Sequence, residues 1–153
     1  MVTISKILVP LDFTDCSVSV LPYAKFMTEK FSAELFLLYT LAGPEQFKGM
    51  AFEEDWFHTY GRVLKTQAER AMENFVELHL DNCRPTGTII RIGETVEEIV
   101  ACADEKNIDL IIMASHNCQT AERRIYGSIA TAVSRDASCP VMILHPDNLK
   151  EKP

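Results

Sequence analysis

Between Met113 and Ser128 the chain reads MASHNCQTAERRIYGS. The apolar run DLIIMA stops there and gives way to small and polar residues, two arginines, and Gly127-Ser128 ahead of a further helical pattern. A loop of this kind after a buried strand can hold phosphates, because the free N–H groups and dipole of the next helix attract anionic oxygens. Ser128 can cap that helix and Gly127 can make the tight turn into it, with or without a ligand. Arg123 and Arg124 could screen a triphosphate from above, although an arginine pair after Glu122 is more commonly a solvated face. Asp12, closing the run ILVPLD, is the carboxylate placed to organise magnesium or water; an Asx turn capping Thr14 to Ser17 is the alternative.

Other chemistries find less support. His116 and Cys118 are not at a recognised metal-ligand spacing, and no nearby pair completes a zinc site. No orienting group accompanies them for nucleophilic catalysis. The chain contains neither a glycine-rich run ending in Gly-Lys-Ser/Thr nor a Gly-x-Ser-x-Gly elbow, so a dedicated hydrolase or transferase is the poorest reading.

The elements that must position these residues follow from hydrophobic pattern. ISKILVPLD, AELFLLYTL (33–41), TGTIIRI, IDLIIMA and SCPVMIL are short strand candidates, and the continuous apolar middle of the first suits a strand buried on both faces. Between them, FTDCSVSVLPYAKFMTEKF places Val18, Leu21, Ala24 and Met27 at helical spacing, with Pro22 expected to kink it. From Glu53 to Leu80, Trp56, Tyr60, Val63, Leu64, Ala68, Ala71, Phe75 and Leu78 form a stripe of period near 3.6, and NCRPTG ends it. Gly93-Glu94-Thr95 reads as a turn and cap before TVEEIVACADEKN, and SIATAVSRDA is a short last helix. Alternating strands and helices argue for a parallel sheet with helices on both faces, and such sheets bind ligands beyond the carboxyl ends of the strands. That rule puts Pro10, Leu11 and Asp12, the end of YTL, and the 113–128 stretch on one rim.

With 153 residues, 47% hydrophobic and 24% charged, the chain suits a single domain with a full core. A net charge of -7 weighs against broad binding to nucleic acid or anionic membrane. No apolar run reaches membrane-spanning length and MVTISKILVPLD lacks the makings of a leader, so the cytoplasm is the expected address. Five scattered cysteines without a CxxC pair are expected to be reduced, Cys118 being the candidate exposed thiol.

The ends VPLD, RIGETVEEIV, DLIIMASH and YGSIATAVSRDASCPVMIL, with their spacing, resemble the universal stress protein family across essentially the whole chain. The resemblance implies an α/β fold over residues 1–146, a doubly wound five-stranded parallel sheet ordered 3-2-1-4-5 with helices on both faces, followed by a polar tail, 147–153. It also implies a homodimer joined through the last strand, Pro140 to Leu144. Nucleotide-binding members hold ATP, with magnesium as its companion, and others lack the pocket. Binding members carry Gly, two residues, Gly, nine residues, then Gly-Ser or Gly-Thr. Here that frame falls on Ala114, Asn117 and Gly127-Ser128: the spacing is intact and the first two glycines are replaced. Asn117 can adopt φ > 0, but its side chain projects, and Ala114 adds one Cβ. The implied nucleotide site comprises Pro10, Leu11, Asp12, Thr40, Met113, Ala114, His116, Asn117, Gly127, Ser128 and Ile129, with Asp12 at the adenine, the ribose or a metal, and Thr40 and Met113 flanking the base. Two functions are weighed: a stress-response regulatory protein with a modified ATP site and at most slow ATP hydrolysis, and a dimeric interaction protein of the stress response, with an unidentified partner, that binds no nucleotide.

Overall fold

A computed structural model describes residues 1–47, 54–115, 127–146 and 149. Five strands, β1 (Lys6–Pro10), β2 (Glu34–Leu41), β3 (Gly87–Ile92), β4 (Leu110–Ala114) and β5 (Val141–Leu144), alternate with four helices, α1 (Asp15–Phe31), α2 (Glu54–His79), α3 (Thr95–Lys106) and α4 (Ser128–Asp136). All strand pairs are parallel and the sheet order is β3-β2-β1-β4-β5, as expected. The chain therefore winds outward from β1 to β3, returns to lay β4 beside β1, and finishes at the opposite edge. The reversal between β1 and β4 opens a gap at the carboxyl ends of those strands.

The central strands have continuously apolar middles because alternate side chains enter different cores. Ile7 and Val9 of β1, Leu35 and Leu37 of β2, and Leu110 and Ile112 of β4 pack with Val20, Leu21 and Ala24 of α1 and Met72 and Phe75 of α2. Leu8, Leu38 and Ile111 point the other way, onto Ile99, Cys102 and Ala103 of α3 and Ala130 and Val133 of α4. Register on both faces is thereby fixed, since a one-residue slip would exchange the two sets.

Helix α1 runs as one element through Pro22, which sits on its exposed side; the expected kink does not break it. The α2 stripe is only half realised. Of its residues Ala68 and Phe75 are buried, joined by Met72, which the stripe did not include, whereas Trp56, Tyr60, Val63 and Leu78 are 39–77% exposed. A helix of 26 residues is about 39 Å long, while even the longest strand, with 8 residues, spans roughly 27 Å, so the first turns of α2 overhang the sheet; Leu78, between the buried Phe75 and Leu80, instead faces away from it. The turn from β3 into α3 is tight at Gly93, where an added Cβ would meet Glu98 Oε1 at 2.5 Å, and Glu94 caps α3 by accepting from Glu97 N–H at 3.0 Å. The expected tail, Leu149 apart, lies outside the described residues.

Candidate functional site

The carboxyl end of β1 is held in a specific shape by Asp12. Its Oδ1 accepts from Thr14 N–H at 3.1 Å, from the Thr14 hydroxyl and from Ser17 Oγ at 2.7 Å, and Ser17 Oγ in turn accepts Asp12 N–H at 2.9 Å. The Asx turn weighed in the sequence thus exists, and Asp12 rather than Thr14 supplies the side-chain oxygen at the start of α1, Thr14 making no cap bond of its own. Between them, Phe13 is forced to φ 63°, a strained conformation for a bulky residue, held by ring contacts to Tyr39 at 4.6 Å and Phe75 at 5.7 Å.

Beyond this turn lies a crevice of about 240 Å³. Pro10, Leu11 and Asp12 form the β1 side, Thr40 the end of β2, Met113 and Ala114 the end of β4, and Ile129 the first turn of α4. Seven of the residues expected from sequence therefore converge on one cavity. Gly127 and Ser128 stand at the start of α4 beside it, with a correction: Gly127 is the N-cap and Ser128 the first helical residue. No side-chain cap bond forms at that end, because Ser128 is already inside the helix, where its hydroxyl cannot act as the N-cap acceptor. His116 and Asn117, along with Cys118, Arg123 and Arg124, lie outside the described residues.

Sequence reasoning missed part of the wall. Tyr39, Thr95 and Ile99 line it, and the Thr40 hydroxyl donates to Thr95 Oγ1 at 3.2 Å, tying the end of β2 to the start of α3. The usable signal was the Gly93-Glu94-Thr95 turn, since any helix starting after a strand in this sheet begins on the same rim. Cys16 and the buried Ser17 complete the α1 side. Cys16 is disulfide-bonded, while Cys83, Cys102 and Cys139 are free. The expectation of five reduced thiols fails at Cys16: proximity of two sulfurs in the folded chain decides a bridge, whether or not the core needs one.

Among the described residues no group of three or more His, Cys, Asp or Glu gathers as a metal site, and Asp12 is the acidic residue of the crevice wall. A nucleophile and a base do meet nearby, Ser115 Oγ lying 2.8 Å from His145 Nδ1. Neither lines the crevice; with Ser115 N–H donating to Leu144 O at 2.8 Å, the pair joins the ends of β4 and β5.

The model of the universal stress protein family matches residues 3–145. The chain is 28% identical over 139 residues to universal stress protein MJ0531 of Methanocaldococcus jannaschii, covering 91% of this chain and 81% of that protein. It is 26% identical over 145 residues to universal stress protein YxiE of Bacillus subtilis, covering 92% and 98%. Among solved structures, hypothetical protein MJ0577 superposes with a TM-score of 0.78 at 28% identity, over 99% of this chain and all of that one. Two further chains share the fold at lower identity: a universal stress protein in complex with cAMP, TM-score 0.57 and 20% identity over 94% of this chain and 98% of that one, and one from Archaeoglobus fulgidus in complex with dAMP, 0.63 and 18% over the same shares.

Proposed function

This chain belongs to the universal stress protein family, and from that premise we propose that it is a stress-response regulatory protein whose β1/β4 crevice binds an adenine nucleotide. The observation that carries the reading is the convergence of the ends of β1, β2 and β4 with the first turns of α3 and α4 on a single cavity. The base and ribose fit between Pro10–Asp12, Thr40 and Met113. The cavity, about 240 Å³, falls below the usual range of roughly 300–1,000 Å³ for ligand pockets, so the nucleoside fills it and the phosphates run out toward Gly127 and Ser128. There the uncapped N–H groups and dipole of α4 are suited to anionic oxygens. The cAMP and dAMP complexes of other chains with this fold agree with an adenine nucleotide in such a crevice. Asp12, the carboxylate that lines the crevice among the described residues, would help to hold a magnesium ion that accompanied a triphosphate.

Equilibrium binding of ATP, ADP and AMP to nucleotide-stripped protein, with and without magnesium, tests the assignment. Saturable binding of at least one is expected; its absence for all three would leave the second reading, a dimeric interaction protein without nucleotide. What favours that second reading is Ala114, whose Cβ stands in the crevice wall where binding members carry glycine. Ala114→Gly combined with Asn117→Gly should then tighten binding, and unchanged affinity in the folded double variant would remove the lost glycines as an explanation.

A further inference from the structure

A second cavity lies toward the β3 edge of the sheet, separate from the crevice. It encloses about 290 Å³. Its floor is Leu41 and Ile92, the last residues of β2 and β3, and the overhanging part of α2 forms its roof with Tyr60, Gly61 and Leu64. The body of a ligand there meets mainly apolar wall, from Leu41, Ala42, Pro44, Leu64 and Ile92, with His58 and Tyr60 as further polar side chains. Its charged end must be an anion. Arg62 and Lys65 border the cavity and, among the described residues, no carboxylate does, although the chain as a whole carries -7. Neither cation forms a salt bridge with a described residue.

Gly61 supplies an independent pointer. Glycine inside a helix costs about 1 kcal/mol relative to alanine, and packing does not demand it here, because a Cβ at Gly61 would meet nothing within 4 Å. Its effect is to leave the cavity open. We infer that this cavity binds a small amphiphilic carboxylate, its alkyl chain between Leu41, Leu64 and Ile92 and its head group at Arg62 and Lys65. The assignment is independent of the nucleotide crevice.

Trp56, the chain's one tryptophan, stacks on Tyr60 with ring centroids 4.5 Å apart, so its fluorescence reports on the cavity roof. Octanoate titrated into the full chain should give a saturable change in Trp56 emission and a matching calorimetric isotherm. Gly61→Leu should unfold at or above the wild-type midpoint, since leucine is the better helix former, yet bind octanoate at least about tenfold more weakly by filling the space. Ile92→Glu, at a position 42% exposed, provides a second blocking variant that needs no change in the helix, with the same expected loss. Replacing Arg62 and Lys65 together with glutamine should weaken octanoate about tenfold while changing 1-octanol binding less than about twofold. Absence of saturable octanoate binding to the wild type, or wild-type affinity in both folded blocking variants, overturns the site. Equal loss of octanoate and octanol in the glutamine pair overturns the carboxylate.

Discussion

Asp12 serves two masters at the residue scale, and its two uses separate by substitution. Its side-chain oxygen closes the turn into α1 through Thr14 and Ser17, while its charge faces the crevice. Asp12→Asn keeps an Asx-type acceptor and should unfold near the wild-type urea midpoint; Asp12→Ala loses the turn's hydrogen bonds from Thr14 and Ser17 and should be less stable by about 1–2 kcal/mol. If magnesium acts through this carboxylate, the asparagine variant should also lose any magnesium enhancement of ATP affinity, and retention of that enhancement would exclude the role. Cys102 presents the opposite case, a residue with reactive chemistry and no access. Burial pushes its thiol above the ordinary value, so it should resist alkylation in the native protein and react once denatured.

Elements differ in how much of their pattern they use. Met72 is 2% exposed and Val63 is 49% exposed on the same helix. Met72→Ala should therefore cost about 2–5 kcal/mol, and Val63→Ala within about 0.5 kcal/mol, by urea unfolding; comparable losses would mean that the overhang of α2 is covered after all. At the opposite rim from the crevice, Asp109 pins the start of β4 to the start of β1, its Oδ2 accepting Ser5 N–H, Ser5 Oγ and Lys6 N–H at 2.7–3.0 Å. The Ser5 hydroxyl, then the Ser5 and Lys6 amides, hold its pKa below the ordinary 3.8. A lowered folded pKa means that the stabilisation is in force above 3.8 and lost as pH falls through the folded value. Asp109→Asn should accordingly be less stable by about 1 kcal/mol at neutral pH, given its solvent screening, with the gap to wild type closing as both are acidified below that point. A gap that persists in acid would assign the loss to packing.

For the whole molecule, the sheet has two edges, and β5 pairs only with β4 among the described residues. All four of its residues are half-buried, and no lysine interrupts Val141-Met142-Ile143-Leu144, leaving an apolar edge open to pairing. A second copy across a two-fold axis would satisfy that backbone, so a homodimer through β5 is the expected assembly. Met142→Lys should shift the sedimentation equilibrium toward monomer by at least about tenfold in dissociation constant; an unmoved midpoint would place the subunit contact elsewhere.

Much of this was legible before folding. Strands with apolar middles alternating with amphipathic helices dictate a two-faced parallel sheet, because the central strands must bury both of their faces. The rim that carries Pro10, Asp12, Thr40, Met113 and Ala114 follows from the shared direction of those strands. Helix α2 resisted the same reading, since periodicity states which face of a helix is apolar but not where the sheet beneath it ends. The contributions of Thr95 and Cys16 to the crevice, the second cavity under Gly61 and the disulfide at Cys16 likewise depend on distances between segments far apart in the chain. Local pattern determines what each segment can bury; only the assembled sheet decides what is left for it to touch.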